Sequence, residues 1–388
     1  MNNSQQTDYA LTITTLFGLE EALAAEVRSI GGRDVKVLNR AVSCVGDLGF
    51  IYKCNFLLRT AIKVLKPLKT IRFRDDDNYY RALKQIDWPA IFGLDKTFAI
   101  QVNGQSMMFR NTLYAAQKAK DAVVDTFREA HNGSRPYVEA KKPDIGITIH
   151  LKNHEAEVYL NSSGDSLHRR GYRDEMGPAP LSEILAAGIL NFTQWNGGKP
   201  FFDPMCGSGT FLIEAAMVAS KLPPGVFRQD FSFTHWKDYD EQLFNTIRDG
   251  ALKRSIEYEG RIIGRDHSAG ALEAARANIT KAMFDDLISL KKGDFIQDDP
   301  PAKNGILVMN PPYNLKVQSD NEKLYSDIGH TLKHKYAGWE IYIFTADLNA
   351  VKFIGLKPTW KKKLYNGQLE SVLLKYEIFE GKRNEQKH

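Results

Sequence analysis

Asn310-Pro311-Pro312-Tyr313 follows the apolar run Ile306-Leu307-Val308-Met309. An amine attached to an aromatic ring is a poor nucleophile, because its lone pair is delocalised. A site that accepts hydrogen bonds from both of its N–H groups turns that lone pair towards an electrophile. The side-chain oxygen of Asn310 is one such acceptor, and the carbonyl of Pro311 is a second. Successive prolines, Pro311 and Pro312, fix φ and hold these acceptors rigidly. Tyr313 offers a flat face on which a planar base stacks. The same residues also fit a strand-ending turn with an N-capping asparagine, so the rest of the chain must decide.

Earlier in the chain, Phe201-Phe202 opens into Asp203-Pro204-Met205-Cys206-Gly207-Ser208-Gly209-Thr210. Gly207 and Gly209 allow a tight bend that a ligand can approach closely. Thr210 begins a helix whose first N–H groups are free to bind. Leu212 stands where a dinucleotide fingerprint needs its third glycine, and the lysine of a phosphate loop is missing. The bend therefore suits a nucleoside-bearing ligand without a pyrophosphate. The next strand ends in Asp266, which can accept from ribose hydroxyls. The one after it leads to Asp294, suited to an adenine amino group, with Phe295 to pack on the ring. Helix capping or turn formation is the alternative for each acid. Three successive strand ends carrying such groups favour a cofactor site. With the rigid double acceptor, they imply methyl transfer from S-adenosylmethionine to an exocyclic nitrogen. The sulfonium charge vanishes on transfer, so no strong base is needed before attack and alignment supplies most of the rate.

These groups need a scaffold, and the periodicity supplies one. From residue 200 the pattern alternates strands (201–203, 261–265, 288–292, 305–309, 340–345) with helices (210–220, 269–281, 321–336). This is the signature of a doubly wound parallel sheet. Asn366-Gly367 between Lys361–Tyr365 and Leu369–Phe379 adds an antiparallel hairpin, an ending that nucleotide-dependent dehydrogenases usually lack. The interval 221–259 is a long polar and aromatic insertion that lengthens the path to Asp266. Ser182 is the expected N-cap of a helix reaching Phe192. In the N-terminal part, strands are expected at 9–14, 34–38, 97–102, 144–151 and 155–160. Helices are expected at 18–29, 54–65, 79–86 and 111–130. That gives a small α/β unit over 1–65, a mixed α/β unit over 66–160 and a glycine- and proline-rich linker over 161–180. His168, Arg169, Arg170 and Arg173 give the linker a basic face, to touch nucleic acid or to brace the joint.

With 43% hydrophobic and 26% charged residues, the composition is that of a soluble globular protein. No apolar run reaches the roughly 18–20 residues that span a bilayer, and the polar N-terminus lacks a signal-peptide pattern. A cytoplasmic protein is expected. Cys44, Cys54 and Cys206 are too few and too scattered for a disulfide framework or a zinc site, and no metal is expected. Arg59, Lys63, Lys66, Lys69, Arg72 and Arg74 form a run without an acid. It fits either phosphate neutralisation or a solvated helix face followed by a loop.

The stretches LHRRGYRDEMGPAPLSEILAAGIL (167–190), FFDPMCGSGTFLIEAA (201–216) and NPPY (310–313) resemble those of bacterial guanine-N2 methyltransferases of large-subunit rRNA. The resemblance implies a Rossmann-like class I methyltransferase domain over 181–388, closed by the hairpin. Ahead of it come a ferredoxin-like unit (1–65) and an RNA-binding THUMP domain (66–160). It implies S-adenosylmethionine as cofactor and RNA (large-subunit rRNA or its precursor) as partner. Asp203, Pro204, Gly207, Gly209, Thr210, Asp266, Asp294 and Phe295 would hold the cofactor, and Asn310, Pro311, Pro312 and Tyr313 the target base. A single catalytic domain is expected, since the chain runs only to His388. Adenine-N6 methylation of DNA or RNA, glutamine-N5 methylation of a protein, and a non-catalytic RNA-binding assembly factor remain as alternatives.

Overall fold

A computed structural model describes residues 7–173, 181–312 and 318–378. Tyr313, residues 174–180 of the expected linker and Phe379 of the expected hairpin lie outside them. The chain forms two units. The first runs up to Arg169, without Leu16–Ala22, and takes in Arg228–Ala251. The second comprises Leu16–Ala22, Arg170–Phe227 and the chain from Leu252 onward.

The first unit is built on a seven-stranded sheet. Its strands are β1 (Tyr9–Thr14), β2 (Arg33–Leu38), β3 (Ala41–Gly46), β4 (Lys63–Arg72), β5 (Phe98–Gln105), β6 (Ile145–Lys152) and β7 (Glu155–Asn161). Their order is β2-β3-β1-β4-β7-β6-β5, and only β5 and β6 run parallel. Strand β4 crosses the expected division at 65/66 and pairs with β1 on one side and β7 on the other. The helix expected at 54–65 is instead Leu48–Leu57, started by the Asp47 side chain accepting from the Phe50 N–H at 2.7 Å. Of the apolar residues that follow, Val64 and Leu65 belong to β4, where Pro67 sits at a register shift. The strand Ala41–Gly46 is absent from the expectation, because small residues give it little β signal.

The acid triplet after the basic run is a helix start. Asp75 caps the helix Asp76–Lys84 by accepting from the Asn78 N–H, and Asp76 and Asp77 occupy its first turn, where the helix dipole favours anions. The core joins Ile13, Val42, Trp88, Phe98, Phe127 and Ile147 to Phe233 and Trp236 of the inserted segment. The ring of Phe233 lies 4.5 Å from that of Tyr52, and Tyr52 Oη accepts from the Asp240 N–H at 3.0 Å. The aromatic insertion is thus building material for the first unit. That accounts for the long interval before Asp266.

The second unit holds the other sheet: β8 (Phe201–Asp203), β9 (Ile262–Asp266), β10 (Ile288–Lys292), β11 (Gly305–Met309), β12 (Trp339–Thr345), β13 (Trp360–Asn366) and β14 (Leu369–Glu377). The order is β10-β9-β8-β11-β12-β14-β13. The pairs from β10 to β12 are parallel, and the last two are antiparallel. Strand β11 is buried at every position, as befits a central parallel strand covered on both faces. The hairpin pairs Asn366 with Leu369, and Gly367 takes φ +62° in the turn. From β8 the chain winds outward through β9 and β10, then returns to β11 on the opposite side of β8. The strand order therefore reverses between β8 and β11. Ligands bind such sheets in the crevice beyond the carboxyl ends of the strands at that reversal. The glycine bend follows β8, and Asn310 follows β11.

Candidate active site

The bend after β8 is held by a set of hydrogen bonds to its backbone. Asp203 Oδ1 accepts from the Met205 N–H at 3.2 Å. The Cys206 N–H donates to the Arg265 carbonyl at 3.0 Å, and the Gly209 N–H to the Cys206 carbonyl at 2.8 Å. The Gly207 N–H donates to Asp266 Oδ2 at 3.0 Å. From the helix Ala269–Lys281, Asn278 Nδ2 donates to the Ser208 carbonyl at 3.0 Å. Gly207 and Gly209 take φ +53° and +82°, the left-handed region that glycine adopts without strain. A Cβ on Gly207 would meet no atom within 4 Å, so the bend faces open space there. The helix Thr210–Ala219 begins at once.

Asp266 is 7% exposed. Its second oxygen accepts from the Ser268 N–H at 2.9 Å. Each oxygen keeps a lone pair for a further donor, which suits a pair of ribose hydroxyls. Asp203 is deeper still. Burial holds its carboxyl well above the usual range, and the Asp266 carboxylate adds to the shift. The Cys206 thiol is pushed up by burial, with the same two acids contributing. It is therefore a protonated filler of the bend rather than a nucleophile.

Beyond β10, Asp294 Oδ1 accepts from the Ile296 N–H at 2.8 Å, and the Asp294 N–H donates to Asp298 Oδ2 at 3.1 Å. Phe295 is 2% exposed, with its ring 5.2 Å from that of Tyr336. It therefore lies in the core beneath the strand ends. At the end of β11, Asn310 Oδ1 is buried and has no hydrogen-bond partner among the described residues. A buried acceptor left without a donor costs about 1–3 kcal/mol. Pro311 is buried and Pro312 exposed. The second unit thus gathers the bend, Asp266, Asp294 and Asn310 at one edge of the sheet. The open bend, the half-used Asp266 carboxylate and the orphaned Asn310 oxygen together fit a nucleoside cofactor beside an amine acceptor.

One group escaped the sequence reading, and the structure refines two others that it named. Asn278 staples the bend; its one signal was an amide inside an otherwise ordinary helix. Ser182 holds the N-cap position of the helix Glu183–Thr193, but its side chain makes no capping bond. Arg170 and Arg173 of the linker are turned inward: Arg170 is 2% exposed and pairs with Glu214, and Arg173 pairs with Glu183 at 3.2 Å. Arg169 stays half exposed, 3.5 Å from Asp165.

In the first unit, a cavity of about 660 Å³ is lined by Arg72, Phe73, Arg74, Asn78, His154 and Glu155. The basic run that leads to it is mostly engaged along β4. Lys63 Nζ donates to Gln101, Lys69 Nζ to Gln85 and Arg72 Nε to Glu155. Lys66 Nζ lies 2.7 Å from Asp238 and over the rings of Tyr9 and Trp236. The expected solvated helix face is therefore a strand with internal partners. Among the described residues no cluster of three or more His, Cys, Asp or Glu could hold a metal ion. No helix among them is long and apolar enough to cross a membrane.

Known proteins with this arrangement can be named. Residues 170–375 match the RMKL-like methyltransferase domain, 73–161 the THUMP domain and 10–65 the RlmL ferredoxin-like domain. A protein of Synechocystis sp., provisionally named an RNA methyltransferase, is 33% identical over 94% of this chain and 96% of its own length. Two solved structures share nearly the whole fold. One is a protein provisionally described as a methyltransferase and solved in complex with SAH, S-adenosylhomocysteine. It is 29% identical, with a TM-score of 0.87 over 97% of this chain and 100% of that one. The other, from Listeria monocytogenes, is described by prediction as an N6-adenine-specific DNA methylase. It is 28% identical, with a TM-score of 0.85 over 96% of this chain and 97% of that one. The chain belongs to the RMKL-like methyltransferases, with a ferredoxin-like domain and a THUMP domain ahead of the catalytic one.

Proposed function

We propose that this protein transfers a methyl group from S-adenosylmethionine to the exocyclic N2 of a guanine in large-subunit rRNA, in the cytoplasm. The observation that carries the reading is the buried Oδ1 of Asn310, without a partner among the described residues, at the strand end next to the glycine bend. An unspent acceptor there has the chemistry to receive an amine N–H. The SAH complex of a relative similar along its whole length supports the cofactor. The THUMP domain and the RNA methyltransferase name of the Synechocystis relative support RNA as the substrate.

In this reading the Gly207–Thr210 backbone and the Asp266 carboxylate seat the donor, and Asp294 receives the adenine amino group. Phe295 backs the site from the core. The bound donor supplies an electrophilic methyl on a sulfonium. Asn310 Oδ1 and the Pro311 carbonyl accept the two N2–H bonds, and that orients the nitrogen lone pair. Pro312 stiffens the turn, and Tyr313 stacks on the base. The guanine is flipped out of its surroundings to reach the site. The cavity bearing Arg72, Arg74 and His154 gives the first unit a place for RNA phosphates. Nucleoside mass spectrometry of large-subunit rRNA from a deletion strain tests this: loss of one N2-methylguanine is expected, and an unchanged content contradicts it.

The description of the Listeria relative favours a second reading, adenine-N6 methylation of DNA, since the double acceptor serves any planar amine. Labelled methyl donor offered to separated RNA and DNA discriminates between the two. Label in RNA is expected, and label in DNA alone reverses the assignment.

A further inference from the structure

Arg170-Gly171-Tyr172-Arg173 takes no part in the chemistry above, yet it carries two cations into the interior of the second unit. Arg170 Nε lies 3.3 Å from Glu214 Oε1, and Nη2 lies 3.5 Å from Oε2. Glu214 is fully buried and also accepts from the Tyr172 hydroxyl at 3.3 Å. Burial works against the charge on Arg170; the Glu214 carboxylate outweighs it, so the guanidinium stays charged. Burial and the same carboxylate keep Tyr172 protonated. Gly171 takes φ +108°, and a Cβ there would stand 2.3 Å from the Phe227 carbonyl oxygen, so the segment is closely seated. Arg173 completes the arrangement. Its Nη1 lies 3.2 Å from Glu183 Oε1 and donates to the Leu181 carbonyl at 3.4 Å, while Nη2 donates to the Thr210 hydroxyl.

Both endpoints lie on one helix, Thr210–Ala219, one turn apart on the same face. That helix springs directly from Gly209. Its remaining early residues, Phe211, Leu212, Ile213, Ala215 and Ala216, are buried and apolar, so cohesion alone does not call for charge. A buried ion pair is a poor source of stability, since apolar side chains of similar volume do as well or better. What it adds is direction: a guanidinium fork fixes the distance and angle to its partner.

We propose that Arg173, through Thr210, and Arg170, through Glu214, are positioning residues that set the height and rotation of this helix and thereby hold the glycine bend where it seats the methyl donor. The inference rests on the donor-binding reading of the bend. It turns the linker from a tether into part of the cofactor site's support.

Calorimetric titration of the full-length chain with SAH tests it. Arg173→Gln and Thr210→Val should each weaken SAH binding about tenfold, the worth of one hydrogen bond to a charged group. The double variant should be no worse than the weaker single. For Arg173→Gln, the KM for the donor should rise while kcat at saturating donor stays near the wild-type value. Arg173→Lys should recover part of the affinity. The triple apolar exchange Arg170→Met with Glu214→Leu and Tyr172→Phe should fold with an undiminished Tm and still bind SAH more weakly. Two results overturn the proposal: wild-type SAH affinity in Arg173→Gln whatever its Tm, or single effects that simply add. Gly209→Val separates the two levels. If it weakens SAH binding while Arg173→Gln leaves the affinity at the wild-type value, the brace alone is wrong. If it binds SAH like the wild type, the donor-binding reading falls and the brace with it.

Discussion

The bend after β8 and the turn after β11 sit at neighbouring strand ends and are built on opposite principles. In the bend, the fixed atoms have been spent: Met205, Cys206, Gly207 and Gly209 donate their N–H groups within the protein, and Asn278 ties down the Ser208 carbonyl. In the turn, the key atom has been saved, since Asn310 Oδ1 is buried with no donor among the described residues. The first arrangement makes a rigid cradle, while the second keeps an acceptor in reserve for a group that arrives later. The contrast teaches a division of labour: damage to the bend should weaken donor binding, and damage to the turn should spare binding and stop transfer.

The sharpest way to break that division is Asn310→Ala. By analogy with removal of one preorganised hydrogen-bonding group, methyl transfer should fall about 10²–10³-fold. Calorimetry with SAH should give an affinity near the wild-type value, and a parallel loss of binding would erase the contrast. Gly209→Val attacks the other side. A side chain at φ +82° is strained by about 1–2 kcal/mol, and its Cβ would stand 3.4 Å from that of Ala275. A lower Tm together with SAH affinity reduced at least tenfold is expected, on the order of the same strain energy. Asn278→Ala removes one staple and should cost about 1 kcal/mol of stability, with a few-fold loss of SAH affinity and unchanged kcat at saturating donor. An effect confined to kcat would place Asn278 with the turn instead.

The smallest effect concerns Asp203. Its carboxyl binds a proton more tightly in the folded protein than in the unfolded chain, because it is buried. The stability it contributes is therefore complete below the unfolded value, about pH 4. It is lost as the pH rises through the folded pKa. Asparagine keeps the acceptor for the Met205 N–H and carries no charge. The Tm advantage of Asp203→Asn over the wild type, measured without cofactor, should widen from pH 5 to pH 8. A constant or narrowing difference would contradict the assignment.

Much of the second unit was legible because its elements are locally consistent. β8, β10 and β11 are short apolar or alternating runs, and the helix Ala269–Lys281 shows its period, so their bounds could be read directly. Asn366-Gly367 announced its hairpin for the same reason. The first unit was harder to read. The residues from Leu57 to Leu65 fit a helical period and a strand equally well, and pairing with β1 and β7 made part of them strand. The aromatic insertion gave no sign of where it belonged, because its partners, Tyr52 and the strands of the first sheet, are remote in sequence. At the site, the glycines, acids and Asn310 could be named from type and spacing. The inward turn of Arg170 and Arg173 could not, because a basic linker and a buried ion pair look alike until Glu214 and Glu183 are brought beside them.

One measurement bears most directly on the division of labour: a crystal structure of the protein with SAH and a short RNA carrying an unmethylated guanine at the target position. The expected result is SAH against Gly207 and Asp266, with the guanine N2 within about 3 Å of Asn310 Oδ1 and of the Pro311 carbonyl. A structure in which SAH lies away from the bend, or the amine makes its hydrogen bonds elsewhere while Asn310 stays unpaired, would contradict the account.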